Sequence, residues 1–306
     1  IRALMLQSGR DCTRASAADF GFAVGPRINA AGRLADISLG VAALLTDDET
    51  EAARLAGDLD SINRERRSIE KDMVEQALDV ARLPSDQSTC IVAWHDSWHE
   101  GVVGLVASQL KTRFNRPAFA FAPGAQGSQW KGSGRSITGI HLRDALDMVV
   151  KREPDLIVRF GGHAMAAGLT LEGIDLERFS RAIESVLEET TDPACFRQEL
   201  LTDGALDPAD LSASLVHTIE SEVWGQGFPE PLFHHRFRVV SQKIVGERHL
   251  KLELASGSKR YSAIAFGREE PIPAEAVLIY RPSFNEYRGQ RTLQLVVSDV
   301  VSTASV

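Results

Sequence analysis

The sequence has only three cysteines in 306 residues, Cys12, Cys90 and Cys195. They are far apart and odd in number, which argues against a disulfide framework and for a reducing compartment, the cytoplasm. No Cys-x-x-Cys pair occurs, so no zinc site is expected. Long hydrophobic runs are also missing. Nothing approaches the roughly 20 apolar residues that span a bilayer, so no membrane role is expected. Ile1–Arg10 lacks an apolar stretch with a cleavage site, and no signal peptide is expected there. The chain begins without Met, which suggests a piece of a longer protein. There are no internal repeats and no low-complexity tracts.

What remains is ordinary globular composition, 43% hydrophobic and 25% charged, with length for about two domains. The net charge of −8 speaks against a polyanionic partner, but it is unevenly spread. Residues 175–231 hold 13 Asp/Glu and 3 Lys/Arg, whereas 232–297 hold 11 Lys/Arg and 6 Asp/Glu, and 90–169 hold 9 and 6. Fields are screened over about 8 Å, so local sign matters more than the total. An acidic connector separates two mildly basic regions. Surface fluctuation explains such counts equally well.

Residues 1–45 read as short helical or loop pieces. Thr46, Asp47 and Asp48 are N-cap candidates for a long helix. Its apolar stripe is Leu55, Leu59, Ile62, Ile69, Met73 and Val80, and Pro84 ends it. Arg64, Glu65, Arg66 and Arg67 give this helix a charged waist, a pattern suited to bridging two lobes. From Cys90 strands alternate with helices: strands at Cys90–Trp94, Pro117–Ala122, Trp130–Ile137, Leu156–Phe160 and Leu169–Leu171, and helices at Gly101–Phe114, His141–Arg152 and Asp175–Glu189. After an acidic connector and a helix at Ser214–Trp224 the texture is all-β. Five short strands are expected between Phe233 and Val300, with turn signals at Gly246-Glu247, Ser256–Ser258, Pro271–Pro273 and Arg288-Gly289. That suits a small OB-like barrel.

Four short motifs can carry chemistry. Gly161-Gly162-His163 offers exposed backbone amides and an imidazole to a phosphate, or is simply a tight turn. Ser133-Gly134-Arg135-Ser136 sets hydroxyls beside a guanidinium fork that fits phosphate, or is a surface turn. Gly25–Leu34 places Arg27, Asn29 and Arg33 in a segment of small residues, or is a helix-capping loop. Trp98–Gly104 precedes a helix start, a natural anion site, with His99 and Glu100 as further candidates. His95, Asp96, His99 and Glu100 make a poor metal set. In the β region Tyr261, Phe266, Tyr280, Phe284 and Tyr287 interleave with Lys259, Arg260, Arg281, Arg288 and Arg291, the composition of a single-strand stacking groove. Tyr261, Arg281 and Tyr287 are the site candidates there, and Phe266 is expected in the core.

In order, GPRINAAGRL (Gly25–Leu34), the charged helix, WHEGVVGLVASQL (Trp98–Leu110), SGRS (Ser133–Ser136), GGHAMAAGLTL (Gly161–Leu171) and a small β-domain resemble the RecJ exonucleases of the DHH–DHHA1 phosphoesterase superfamily. The resemblance runs over essentially the whole chain. It implies an α/β fold, a DHHA1-like domain with a mixed sheet after a long connecting helix, plus an OB-like barrel. The implied boundaries are 1–45 for the tail of the catalytic DHH domain, 46–83 for the helix, 84–190 for DHHA1, 191–231 for an acidic linker and 232–306 for the OB-like domain. It also implies 5′→3′ hydrolysis of single-stranded DNA in repair and recombination. Mn²⁺ or Mg²⁺ would be bound by Asp and His residues upstream of Ile1, because this sequence has no Asp-His-His and no Asp-x-Asp in a strand–loop setting. On this reading the chain by itself has no metal and no catalytic residue. Arg27, Asn29 and Arg33 would face the cleft, Ser133, Arg135 and Ser136 would hold the 5′ phosphate, and Gly161, Gly162 and His163 would contact the phosphate beside the metals. Implied partners are single-stranded DNA with a 5′ end and a single-strand-binding or recombination protein, with the chain a monomer. A non-catalytic single-strand-binding module and a phosphodiesterase for short oligonucleotides are the alternatives.

Overall fold

A computed structural model describes residues 1–80, 88–124, 127–173, 175–207, 209–225, 227–246, 248–287 and 290–301, apart from the side chains of Arg14, Val80 and Tyr287. The chain divides into two units, Ile1–Gln198 and Glu199–Val306.

The first unit opens with α1 (Arg2–Gln7) and α2 (Ala17–Asp19). A π-helical turn, Phe20–Val24, then runs into α3 (Gly25–Leu34), so the Gly-rich motif is a helix. Pro26 sits in its first turn, where a missing N–H costs nothing. After α4 (Ser38–Leu45) comes α5 (Glu49–Val80), 32 residues long. Asp48 caps it, accepting from the Glu51 N–H at 2.8 Å. The stripe on α5 serves two cores. Leu55 and Leu59 pack with Leu4, Met5, Val24 and Ala31. Ile69, Met73 and Ala77 pack against the sheet. Each buried Leu or Met among them contributes about 1.5–3 kcal/mol. That division makes one helix the bridge between the two cores. The stop expected at Pro84 lies outside the described residues.

The sheet contains β1 (Ile91–Trp94), β2 (Ala118–Pro123), β3 (Gln129–Arg135), β4 (Ile157–Gly162) and β5 (Ala166–Glu172), in the order β1-β2-β3-β5-β4. Only β1 and β2 are parallel, and their crossover is α6 (Val103–Phe114). Alternation on β2 separates two faces. Ala118, Ala120 and Ala122 meet α6 and α5. Phe119 and Phe121 meet α7 (Leu142–Arg152) and α8 (Leu176–Thr190), each edge-on to Phe179 at 5.2 Å. Gly132 and Gly134 on β3 make room for those rings: a Cβ there would lie 2.3 Å from Phe121 and 2.6 Å from Phe119.

Two expectations for the sheet change. The third strand stops at Arg135, two residues early. Ser136 leaves the ladder: its N–H goes to Met165 and its hydroxyl to Ile140. The two glycines before His163 belong to β4 rather than to a loop, paired with Gly168 and Ala167.

The second unit carries α9 (Ala213–Ser221) and a closed five-stranded barrel. Its strands are β6 (Phe233–Val245), β7 (His249–Ser256), β8 (Lys259–Ala265), β9 (Glu275–Tyr287) and β10 (Gln290–Val301), ordered β10-β8-β7-β6-β9. Closure leaves no unpaired edge. Phe266, expected in the core, is 60% exposed. Strand periodicity explains the correction: Tyr261, Ala263 and Ala265 point inward, and Phe266 follows on the outward parity. The turns at Glu247 and Arg288-Gly289 lie outside the described residues.

Candidate nucleic-acid interface

The first unit brings three of the sequence motifs together. In α3, Ala30 and Ala31 are fully buried, and the following residues reach α6. Arg33 donates to the carbonyl of Gly101 at 3.0 Å. A Cβ on Gly101 would lie 2.3 Å from the Arg33 carbonyl oxygen, so only glycine permits this approach. One turn on, a Cβ at Gly104 would meet Arg135 Nη2 at 2.9 Å and Ser133 Oγ at 3.1 Å. The first turn of α6 therefore lies directly against the Ser133–Arg135 pair. Arg135 Nη1 donates to Ser133 Oγ at 2.9 Å and to the Gly134 carbonyl at 2.8 Å. Burial, and secondarily the like charge of Arg33, lower the pKa of Arg135. A guanidinium stays charged, so this marks a place where an anion is stabilising.

Register carries the third motif to the same end of the sheet. Arg135 pairs with Ala166 and Ser133 with Gly168 on one side of β5. Gly161 pairs with Gly168 and Gly162 with Ala167 on the other. His163 begins the β4–β5 turn, exposed, its N–H bonded to the Ala166 carbonyl at 2.9 Å. Gly162 has φ +153°, and a Cβ there would lie 2.4 Å from the Ala166 oxygen.

Other candidates are placed differently. Arg27 is tied to Asp60 through Nε at 2.9 Å and Nη2 at 2.7 Å, with both side chains close to nine-tenths buried. Its charge is thus used within the fold. Asn29 and Glu100 are exposed. Ser136 is 1% exposed with its hydroxyl already donated, which corrects its assignment to a phosphate: the end of β3 needs it for the turn. His99 Nδ1 accepts from the Gly101 N–H at 3.0 Å and so orders the approach to α6. Trp98 is buried and donates to Gln76 at 2.8 Å.

Sequence reasoning treated residues 64–67 as a charged waist between two lobes and did not single out Arg66. Its side chain is largely buried, held by Glu70 at 2.7 Å and Asn63 at 3.2 Å, and its Nε is buried with no partner. Burial is the largest influence and lowers its pKa; Glu70 opposes, while Arg67 and Arg33 lower it further. The signal was available: Leu59, Asn63, Arg66 and Glu70 recur four, three and four apart, polar residues at stripe spacing.

In the barrel, Tyr261 is inward and largely buried against Phe237, ring centroids 5.9 Å apart, so it is core rather than a stacking platform. Arg281 is paired with Glu230 at 2.7 Å. The Tyr287 side chain lies outside the described residues. Among the described residues no group of three or more His, Cys, Asp or Glu can hold a metal ion, and no helix is long and apolar enough to cross a membrane.

Residues 86–189 match the DHHA1 domain family and residues 202–299 the RecJ OB domain family. The single-stranded-DNA-specific exonuclease RecJ of Salmonella typhimurium is 44% identical over 98% of this chain, and that of Escherichia coli is 42% identical. The chain belongs to the RecJ family. It spans about half the length of these curated relatives, 54% in both cases. The crystal structure of RecJ from Thermus thermophilus with Mg²⁺ is similar at TM-score 0.82 and 30% identity, covering 98% of this chain and 46% of that one. A second structure of the Thermus protein contains Mn²⁺.

Proposed function

We propose that this chain supplies the DNA grip of a 5′→3′ exonuclease for single-stranded DNA. The hydrolytic metal site, with Mn²⁺ or Mg²⁺, would be carried by the part of the full-length protein that this chain does not span. The domain division is that of the resemblance: DHH tail, connecting helix, DHHA1 domain, acidic linker and OB-like barrel. The protein would act in the cytoplasm in repair and recombination, as a monomer alongside a single-strand-binding or recombination protein.

One observation carries the reading. Arg33, Ser133 and Arg135 converge on the N-terminal end of α6 and the residues just before it, and no carboxylate pairs with either arginine among the described residues. Helix N–H groups, a hydroxyl and two guanidinium forks suit a terminal phosphate dianion. His163, with Gly161 and Gly162 at the same end of the sheet, would take the next phosphate. Arg27 acts from behind, fixing α3 to α5, while Asn29, beside it, faces the cleft. His99 sets the backbone at Gly101. Backbone contacts read no sequence, so binding is sequence-tolerant.

The test is Arg135→Ala, with affinity measured for 5′-phosphorylated and 5′-hydroxyl strands. The phosphorylated strand is expected to lose about tenfold or more and the hydroxyl strand much less. Equal losses would remove the terminal-phosphate role. The second reading, a phosphodiesterase for short oligonucleotides, predicts that a dinucleotide binds as well as a long strand.

A further inference from the structure

On β3, side chains alternate between the two faces. Trp130, Gly132 and Gly134 face the Phe119–Phe121 core, whereas Lys131, Ser133 and Arg135 face the side of α6. Across β5 that second face continues through Thr170 and Gly168, opposite Lys131 and Ser133. It reaches β4 at Arg159 and Gly161, opposite the same two residues. Gly161 has nothing within 4 Å of where a Cβ would stand, and Gly168 only a backbone oxygen at 4.0 Å. The floor beside Ser133 is therefore open.

At the far edge of this floor two cations share one acceptor. Lys131 Nζ lies 3.2 Å and Arg159 Nε 3.4 Å from the hydroxyl oxygen of Thr170, which is 3% exposed. Neither cation forms an ion pair with a carboxylate among the described residues; Lys131 adds only the Gln129 amide oxygen at 3.3 Å. With its oxygen accepting twice, the Thr170 O–H still has a proton to donate.

A defect in the ladder puts Arg159 there. The register of β4 on β5 jumps between Ile157 and Arg159. Ile157 and Phe160 both pack in the Phe119–Phe121 core, which strict alternation would forbid. The extra residue, Val158, moves Arg159 to the open face. Bulges commonly re-aim a side chain beside a functional site. A regular strand would have left Lys131 alone.

We propose that Lys131, Arg159 and Thr170 form a second phosphate subsite, which holds an internal phosphodiester of the same strand whose 5′ end is gripped at Arg135. Lys131 lies four residues from Arg135 on one strand, roughly 13 Å away. Gly161 and Gly168 leave the face between them free of side chains. The proposal rests on the terminal-phosphate reading for its direction, from 5′ end to interior.

The experiment measures binding of this chain to oligothymidylates by fluorescence anisotropy as salt is varied. A dinucleotide and a longer strand are each used with 5′ phosphate and with 5′ hydroxyl. The double variant K131Q/R159Q is expected to weaken the longer strand about tenfold and to lower its salt slope by about one. It should leave the dinucleotide and the phosphate-to-hydroxyl ratio unchanged. Arg159→Lys, which keeps the charge, should recover part of the loss, and melting temperatures control for folding. Unchanged binding of the longer strand overturns the subsite. So does an equal loss on the dinucleotide, because the effect would then belong to the terminal site or to general charge. Inorganic phosphate competing as well as the longer strand would mean an isolated anion site, which also overturns it. If Arg135→Ala abolishes the 5′-phosphate preference while K131Q/R159Q changes nothing, the terminal site stands and this one falls.

Discussion

The candidate phosphate residues of the first unit and the barrel of the second both include arginines, but they use them differently. On the barrel Arg260 pairs with Glu253, Arg281 with Glu230 and Arg291 with Glu220. Arg291 also lies 4.0 Å over the Phe284 ring, and Glu220 holds the Phe284 N–H. Glu220 and Glu230 come from the acidic stretch that precedes the barrel. In the first unit Arg33, Arg135, Lys131 and Arg159 meet carbonyls, hydroxyls and amides instead. These three barrel arginines are thus neutralised by carboxylates of their own chain, two of them from the acidic stretch. Available charge, not counted charge, attracts a polyanion.

The sharpest way to test that contrast is within the first unit. Arg27 is a cation of the same motif as Arg33, but it is spent on Asp60. Asp60→Asn should therefore destabilise the fold by about 3 kcal/mol, because it strands a buried guanidinium. Denaturant unfolding reads this. A loss under about 0.5 kcal/mol would return Arg27 to the set of available cations.

A smaller effect is expected at Gly104, where the helix approaches the phosphate pair. Gly104→Ala should push Arg135 aside and reduce the preference for a 5′-phosphorylated strand several-fold. Its melting temperature should hold or rise, since alanine favours helix by about 1 kcal/mol. Parallel losses of stability and binding would mean that the glycine serves packing alone.

The smallest effect belongs to the barrel. Replacing Glu220 and Glu230 by Gln frees Arg291 and Arg281. Exposed pairs contribute about 0–1 kcal/mol, so single-strand affinity should rise only two- to threefold, most visibly at low salt. A drop in affinity would break the comparison, because the carboxylates would then be presenting the arginines rather than masking them.

Periodicity made much of this protein legible. The stripe Leu55–Met73, the alternation of strands and helices from Cys90 and the five strands after Phe233 all reappear, displaced by up to three residues at their ends. Local rules suffice where a segment's own pattern decides which face is buried. They were weaker where a neighbour decides. Gly161 and Gly162 have loop composition but pair with β5. Ser136 looks like part of a phosphate motif but is consumed by a turn. Phe266 looks like core but falls on the outward parity.

By itself, the sequence determined the class of each segment and the order of the motifs, because hydrophobic period, capping and glycine placement are local properties. It also determined which residue types were available for phosphate. Only the tertiary structure decided which cations are free. Arg27 and Arg33 are six residues apart in one helix, yet Asp60, thirty-three residues beyond Arg27, pairs with Arg27 and not with Arg33. Arg159 reaches Lys131 because of one extra residue in a ladder. Ion pairs and register are long-range outcomes of packing, and no window along the chain contains both partners.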